Sequence, residues 1–304
     1  MEHHCAYCYE RENIQKGDVP DMKQDAFRNI TAWFREAAGI REVTLLGGEP
    51  TQHSELSKLL DIAYAQGLTA RVCTNGFYSE SVGSMLATHP ALRSMLVHYE
   101  KTYHGMKGYR AGIEKNLAQL VEAGVPEVFL RYNFHIDFQP GDVLELAGRF
   151  RLAIAYSLSS PAKGLTEYFR HGDLQAGGEK LLEFAQQAEA QGTKLILARA
   201  LPLCMFTQEQ RERFAKVLDL QGTCTAVRDV TVNSDLSLQL CSVMKNCRTE
   251  PVTSVADLKA KLGALKQMEA NVRKVPSFDA CTACDLTDQC QGGCLSYKTF
   301  GDRQ

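Results

Sequence analysis

The 304-residue sequence has no basic stretch followed by an apolar core at its start, and no apolar run near the eighteen or so residues of a membrane span, so neither a secretory signal nor a spanning helix is expected. It also lacks an excess of either charge. Against 36 Asp plus Glu stand 34 Lys plus Arg, a net charge of −2 with no strongly basic run, which argues against a nucleic-acid or anionic-membrane partner. There is no low-complexity stretch, and no repeat beyond an alternation of short apolar runs with helical periodicity. With 44% hydrophobic and 23% charged residues, the chain can bury a core without disulfide staples. Its length predicts two domains or one large barrel.

Cysteine is plentiful. There are 11, an odd number, and without a secretory signal short cysteine spacings point to metal or iron–sulfur ligation rather than cystine. Cys5 and Cys8 lie at the start, Cys73 stands alone, and Cys204, Cys224, Cys241, Cys247, Cys281, Cys284, Cys290 and Cys294 follow. Two separated groups predict two sites.

Between residues 24 and 200 the pattern predicts βα units around a parallel sheet. Phe27, Ile30 and Phe34 mark a helix stopped by Gly39; Leu56, Leu59, Leu60 and Ala63 mark another closed by Gly67. Strands are expected at 43–46, 70–74, 95–99, 128–134, 152–156 and 194–198, with further helices at 113–123 and 181–191. This predicts an open or closed (β/α) barrel whose ligands lie at the C-terminal strand ends. Beyond 200, a hairpin is expected from 228–232 and 236–240, a helix at 255–270, and then a cysteine-rich loop in which metal replaces packing. Trp33 and Phe34 read as helix core, Arg211 and Arg213 as a solvated helix face, and Cys73 as a small buried hydrophobe. His53, His89, His135 and His171 show no ligand spacing.

Cys5-Ala6-Tyr7-Cys8 is a CxxC where a first strand should end, compatible with zinc, a redox pair or an iron–sulfur site. Gly47-Gly48-Glu49-Pro50 follows the next strand, where glycines admit a ligand to the backbone and a carboxylate can hold an amine; it could equally be a plain βα turn. Cys281-x2-Cys284-x5-Cys290-x3-Cys294 surrounds Gly292-Gly293 and suits tetrahedral zinc or an iron–sulfur cube.

Together these residues resemble the radical S-adenosylmethionine (SAM) family, whose signature is CxxxCxxC with an aromatic before the last cysteine, followed by GGEP after the second strand. Cys5, Tyr7 and Cys8 match the second half of the first motif, and residues 47–50 match the second. Thr74-Asn75-Gly76 is similar to the family's TNG. Glu100, His104 and Lys107-Gly108 are similar to the acid, His and Arg-Gly of the peptide-modifying branch. The resemblance implies that Cys5 and Cys8 ligate a catalytic 4Fe-4S cluster. It places Tyr7 near the adenine and assigns Gly47, Gly48 and Glu49 to the methionyl amine, with Thr74 and Asn75 also at the cofactor. Arg131 and Asn133 are weaker candidates for the SAM carboxylate. The first signature cysteine falls at Met1. Ligation by Met1, His3 or His4, or a degenerate domain, would account for this, but the simplest expectation is a sequence lacking its true N-terminus, first strand included.

The tail spacing resembles the SPASM domain, which carries auxiliary 4Fe-4S clusters in radical peptide maturases. Cys224, eleven residues, Leu236, four residues and Cys241 resemble its Cys, Gly, Cys element, with Leu in place of Gly. A further cysteine usual in that family does not follow Cys294, leaving Cys204 and Cys247 to complete one or two ligand sets; with one set lost, the domain approaches the shorter twitch variant. The fold class expected is α/β: a partial (β/α)6 TIM-like barrel lacking its first strand (1–200), then a small cysteine-rich α+β domain (201–304). The resemblance implies a cytoplasmic enzyme that cleaves SAM and abstracts hydrogen from a peptide or protein side chain. Its partners would be that substrate, an electron donor such as flavodoxin or ferredoxin, and a separate leader-binding protein. The competing readings are a twitch-like dehydrogenase or epimerase of small molecules, and a non-catalytic zinc or iron–sulfur protein.

Overall fold

A computed structural model of the chain describes residues 8, 10, 20–99, 108–135, 139–162, 168–215, 218, 224 and 229–301. Helix α1 (Gln24–Ala38) buries Phe27, Ile30 and Thr31, and stops at Gly39, whose left-handed φ of 63° lets its N–H close on the Arg35 carbonyl. There follow β1 (Glu42–Leu45), a 3-10 turn (Pro50–Gln52), α2 (Leu56–Ala65), β2 (Thr69–Thr74), α3 (Glu80–Thr88), β3 (Leu92–His98) and α4 (Tyr109–Glu122). The series continues with β4 (Glu127–Phe134), α5 (Gly141–Phe150), β5 (Ala153–Leu158), α6 (Leu174–Ala190) and β6 (Leu195–Leu197).

All six strands are parallel and lie in chain order, β1-β2-β3-β4-β5-β6. The arrangement is the expected partial (β/α)6 barrel, open between β1 and β6 among the described residues. Because successive strand residues face opposite ways, each strand has one face against the helices and one toward the barrel axis. The helix-facing set is apolar and buried: Ala70 and Val72, Met95 and Val97, Leu130, Tyr132 and Phe134, Ile154, Tyr156 and Leu158. The alternate positions are largely polar: Arg71 and Cys73, His98, Arg131 and Asn133, and Ser157. Cys73 is therefore half-buried on the axial face beside Arg71, rather than in the apolar core that its strand suggested. A tightly filled barrel would carry branched aliphatic side chains on that face; here Leu96, Phe129 and Ala155 share it with the polar groups.

The strands match the apolar runs to within a few residues, and the segment around Arg211 is helical as expected, α7 (Gln208–Phe214). The short hairpin is present as β7 (Thr231–Val232) and β8 (Ser237–Gln239), extended by β9 (Arg248–Pro251), followed by α8 (Val255–Arg273). A second core forms here around Leu238, Leu240, Met244, Leu258 and Leu265. Ile30, Trp33 and Phe34 of α1 join that core, so the first helix serves both parts of the chain. Two short helices, α9 (Thr287–Cys290) and α10 (Ser296–Phe300), close the tail. Among the described residues no helix is long and apolar enough to cross a membrane.

Leu236 sits at φ 67° in the β7–β8 turn, the left-handed position that hairpin loops of this length give to glycine. Its N–H bonds the Asn233 carbonyl at 2.9 Å, and Asp235 Oδ1 accepts from the Ser237 amide at 3.0 Å and hydroxyl at 2.7 Å. These bonds, with the Asp235–Arg248 ion pair, hold a leucine where glycine would rest without strain. Leu236→Ile keeps the volume but branches at Cβ, so it should lower stability by about 1–2 kcal/mol, read as a fall in urea midpoint. An unchanged midpoint would show that the turn relaxes freely.

Candidate functional site

Parallel sheets gather their ligands at the C-terminal strand ends, and here two of those ends are tied by one side chain. Glu49 caps the 3-10 turn that follows β1. Its Oε1 accepts from the Thr51 amide at 3.1 Å, the Thr51 hydroxyl at 2.7 Å and, across 25 residues, the Thr74 hydroxyl at 2.7 Å. Its Oε2 accepts the Asn75 amide at 2.7 Å. Three donors share Oε1 and one reaches Oε2, which keeps a lone-pair position. The side chain expected to hold an amine also ties the β1 and β2 loops.

Thr74, Asn75 and Gly76 form the other half of the tie. The Gly76 amide donates to Thr74 Oγ1 at 3.1 Å and the Phe77 amide to Asn75 Oδ1 at 2.8 Å. Gly76 has φ 75°, and a Cβ there would stand 2.6 Å from Val97 Cγ1, so the turn needs glycine both for its backbone and for its approach to β3. Buried Asn116 on α4 donates to the Gly76 carbonyl at 2.9 Å.

Gly47 and Gly48 differ from Gly76. Both are exposed, and a Cβ on Gly47 would meet no atom within 4 Å. Nothing in the fold demands glycine at 47. Of the remaining expected cofactor and first-cluster residues, Cys8 is half-buried, whereas Cys5 and Tyr7 lie outside the described residues. So do Glu100, His104 and Lys107.

On the axial face, Arg131 donates to Ser157 Oγ at 2.8 Å, and Ser157 donates to Asn133 Oδ1 at 2.6 Å. His98, paired in register with Arg131, has its pKa pushed down to about 3 by burial first and then by the Arg131 and Arg199 cations. His98 is thus a neutral imidazole at physiological pH. Arg71, His98, Ser157 and Arg199 were not singled out from the sequence; strand alternation carried the signal for the first three.

The tail thiols fall into two neighbourhoods. Cys204 has its pKa pushed up to about 12, by burial and then by the nearby Cys290, Cys281 and Cys284. Cys241 is pushed up to about 11, by burial and then by Cys294, and it packs with Cys224 and Cys247 around the second core. Among the described residues no three His, Cys, Asp or Glu converge closely enough to hold a metal ion. The donor set is nonetheless that of a soft metal, and backbone amides already point at one sulfur, Leu203 N–H reaching Cys290 Sγ at 3.1 Å.

An open parallel six-stranded barrel with exposed glycines and the Glu49 tie at its strand ends defines an α/β barrel protein. Residues 2–148 match the Radical SAM superfamily, and the chain carries a radical SAM domain. The fold, tail included, is shared with SuiB of Streptococcus suis bound to S-adenosylmethionine, at 15% identity and TM-score 0.65 over 98% of this chain and 73% of that one. SuiB bound to its precursor peptide SuiA gives 15% identity and TM-score 0.68, covering 98% and 72%. The protein anSMEcpe with bound AdoMet gives 16% and 0.64, covering 95% and 85%. No curated protein matches the chain in sequence.

Glu49→Gln replaces an acceptor facing the Asn75 amide with a donor. A loss of about 1–3 kcal/mol is expected in denaturant unfolding, and a stability equal to wild type would mean that the tie is dispensable. His98 gives a second expectation. Its folded pKa lies below its unfolded value, so between about pH 6.5 and 3 the unfolded chain binds a proton the folded chain lacks. Stability therefore falls as pH drops through that window, by at most about 1.4 kcal/mol per pH unit from this group. His98→Gln should flatten that dependence in urea titrations at a series of pH values; an unaltered slope would assign it elsewhere.

Proposed function

We propose that the chain is a radical SAM enzyme acting on a peptide or protein side chain, by oxidation or by forming a thioether or carbon–carbon crosslink. The observation that carries this reading is the radical SAM domain over residues 2–148, on a parallel barrel whose strand ends carry exposed Gly47 and Gly48 and the Glu49 tie to Thr74 and Asn75. SuiB has been seen with its precursor peptide SuiA and anSMEcpe with a peptide named Cp18Cys; likeness to both in fold supports a peptide as substrate here.

In this reading Cys5 and Cys8 hold a catalytic 4Fe-4S cluster together with one further ligand, and Tyr7 lies by the adenine. The backbone of Gly47, Gly48 and Glu49 takes the methionyl amine, while Glu49, Thr74 and Asn75 fix the loops that present it. Arg131 and Asn133 face the SAM carboxylate, and neutral His98 leaves that pocket's positive charge to the arginines. When bound, the cluster supplies one electron that cleaves the sulfonium to a 5′-deoxyadenosyl radical, which takes a hydrogen atom from the substrate. The barrel spans residues 1–200. The tail, 201–304, is a SPASM-type domain whose Cys204, Cys224, Cys241, Cys247, Cys281, Cys284, Cys290 and Cys294 serve one or two auxiliary clusters. A flavodoxin or ferredoxin would deliver the electron and a separate protein would present the peptide leader. Oxygen-sensitive clusters of this kind suit the cytoplasm.

Anaerobic reconstitution should load about eight to twelve irons per chain, and the dithionite-reduced protein should release 5′-deoxyadenosine from SAM. One bound zinc without iron–sulfur absorbance would defeat the reading, as would a cluster-loaded protein that leaves SAM intact.

A further inference from the structure

The start of the chain and its tail meet at a charged contact. Lys245 Nζ lies 3.1 Å from Glu10 Oε2 although 235 residues separate them, and Glu10 is two residues past Cys8. The side chains of Lys245 and Glu10 are 27% and 24% exposed. The pair Lys58–Glu55 has the same length, but its side chains are 62% and 37% exposed and lie three residues apart on one helix. Water and salt screen the Lys245–Glu10 pair less, and closing it restrains two distant segments rather than one turn.

The lysine is presented by a stiff loop. Between β8 and β9, the Met244 N–H donates to the Cys241 carbonyl, the Cys247 N–H to the Met244 carbonyl and the Leu240 N–H to the Cys247 carbonyl, each at 3.0 Å. The buried side chain of Gln239 adds a bond from Nε2 to the Cys241 carbonyl at 2.7 Å. Val243 and Met244, just before Lys245, are buried in the second core. Lys245 therefore reaches Glu10 from a fixed base. The same core takes Ile30, Trp33 and Phe34 of α1, so the tail holds the start of the chain at two places, α1 and Glu10. Cys8 and Glu10 themselves lie in neither a helix nor a strand, and a segment without a backbone ladder opens locally at small cost. A contact made from a fixed base has the most effect on such a segment.

We propose that Lys245 is a positioning residue for the Cys8 segment: its ion pair with Glu10 makes the β8–β9 loop of the tail a brace that sets how far the Cys8 thiol opens to solvent. The tail thereby acts on the N-terminal CxxC motif through charge, whatever its own cysteines bind. The value of this brace to the reaction rests on the functional reading of Cys8; the brace itself does not.

The test is pulsed iodoacetamide labelling of the full chain, kept reduced and freed of metal by chelator, with each cysteine followed by peptide mass spectrometry. Labelling tracks the open population when closing outruns the reagent, so Lys245→Gln should raise the Cys8 rate about two- to fivefold. Cys73 in the barrel and Cys247 in the second core should keep their wild-type rates. Glu10→Gln/Lys245→Gln should label no faster than Glu10→Gln alone, and both Lys245→Arg and the swap Glu10→Lys/Lys245→Glu should restore slow labelling. A Cys8 rate unmoved by Lys245→Gln, or one that rises together with that of Cys247, overturns the brace. If the variants fail to fold, salt decides on the wild-type chain: about 1 M NaCl should speed Cys8 and not Cys247, and a salt-independent Cys8 rate overturns the proposal. Release of 5′-deoxyadenosine by the reconstituted wild type is a separate readout. Its absence defeats the functional reading and leaves the brace standing, whereas an active enzyme with salt-independent Cys8 labelling defeats only the brace.

Discussion

The Glu49 carboxylate is the point on which the strand-end loops depend. A loop beginning with two exposed glycines has little packing of its own, and glycine loses the most entropy on being fixed. What fixes it is a single anion with four donors, two from its own turn and two from the end of β2. Charge-assisted hydrogen bonds are about twice as strong as neutral ones, so this is an economical brace. From Thr74 the order passes on: through Gly76 to Val97 of β3 by close packing, and through Asn116 to α4 by hydrogen bonds. Moving any of these shifts the floor on which a cofactor would rest.

The barrel divides its labour by face. Outward positions bury apolar side chains under the helices and supply the stability, at roughly 25 cal/mol per Å² of area removed from water. Inward positions work against that gain. Arg131 is held by Ser157 and Asn133, and His98 sits uncharged beside two cations. The half-buried Arg131 keeps its hydrogen bonds and His98 stays neutral beside it, which limits the cost of placing polar groups on this face.

How much of this the sequence discloses depends on the range of the interaction. The parallel strands were legible because both of their ends and one face are apolar, giving runs such as Val43–Leu46 and Val128–Phe134. The edge strand β9, Arg-Thr-Glu-Pro, is mostly exposed and has no apolar signal to read. Helix α3 escaped notice because it buries only Gly83 and Leu86. At the site, GGEP and TNG were visible as separate motifs, but their union through Glu49 was not, because spacing along the chain says nothing about which donors a carboxylate will meet. The neutral state of His98 was equally hidden; it arises from burial first and then from Arg131 within β4 and Arg199 after β6. Cysteine order likewise could not divide the tail thiols, since Leu203 and Cys290 meet only in three dimensions.

The tail shows why a cysteine-rich end needs more than its own packing. Its helices of four and five residues are far below the length at which a helix is stable alone, so they depend on contacts made elsewhere. Arg273 at the end of α8 supplies part of this, donating to the Cys224 carbonyl at 2.6 Å and to Gln291 Oε1 at 2.7 Å while paired with Glu269. One guanidinium thereby holds the loop before β7 and the loop after α9 to the same helix. Phe278 and Tyr297 carry the tail into the barrel core through Tyr168 and His171. These contacts fix the tail's backbone, and burial raises the thiol pKa of Cys204, Cys241, Cys247 and Cys290, so these thiols stay protonated and the order of the segment around them rests on packing and hydrogen bonds rather than on their charge.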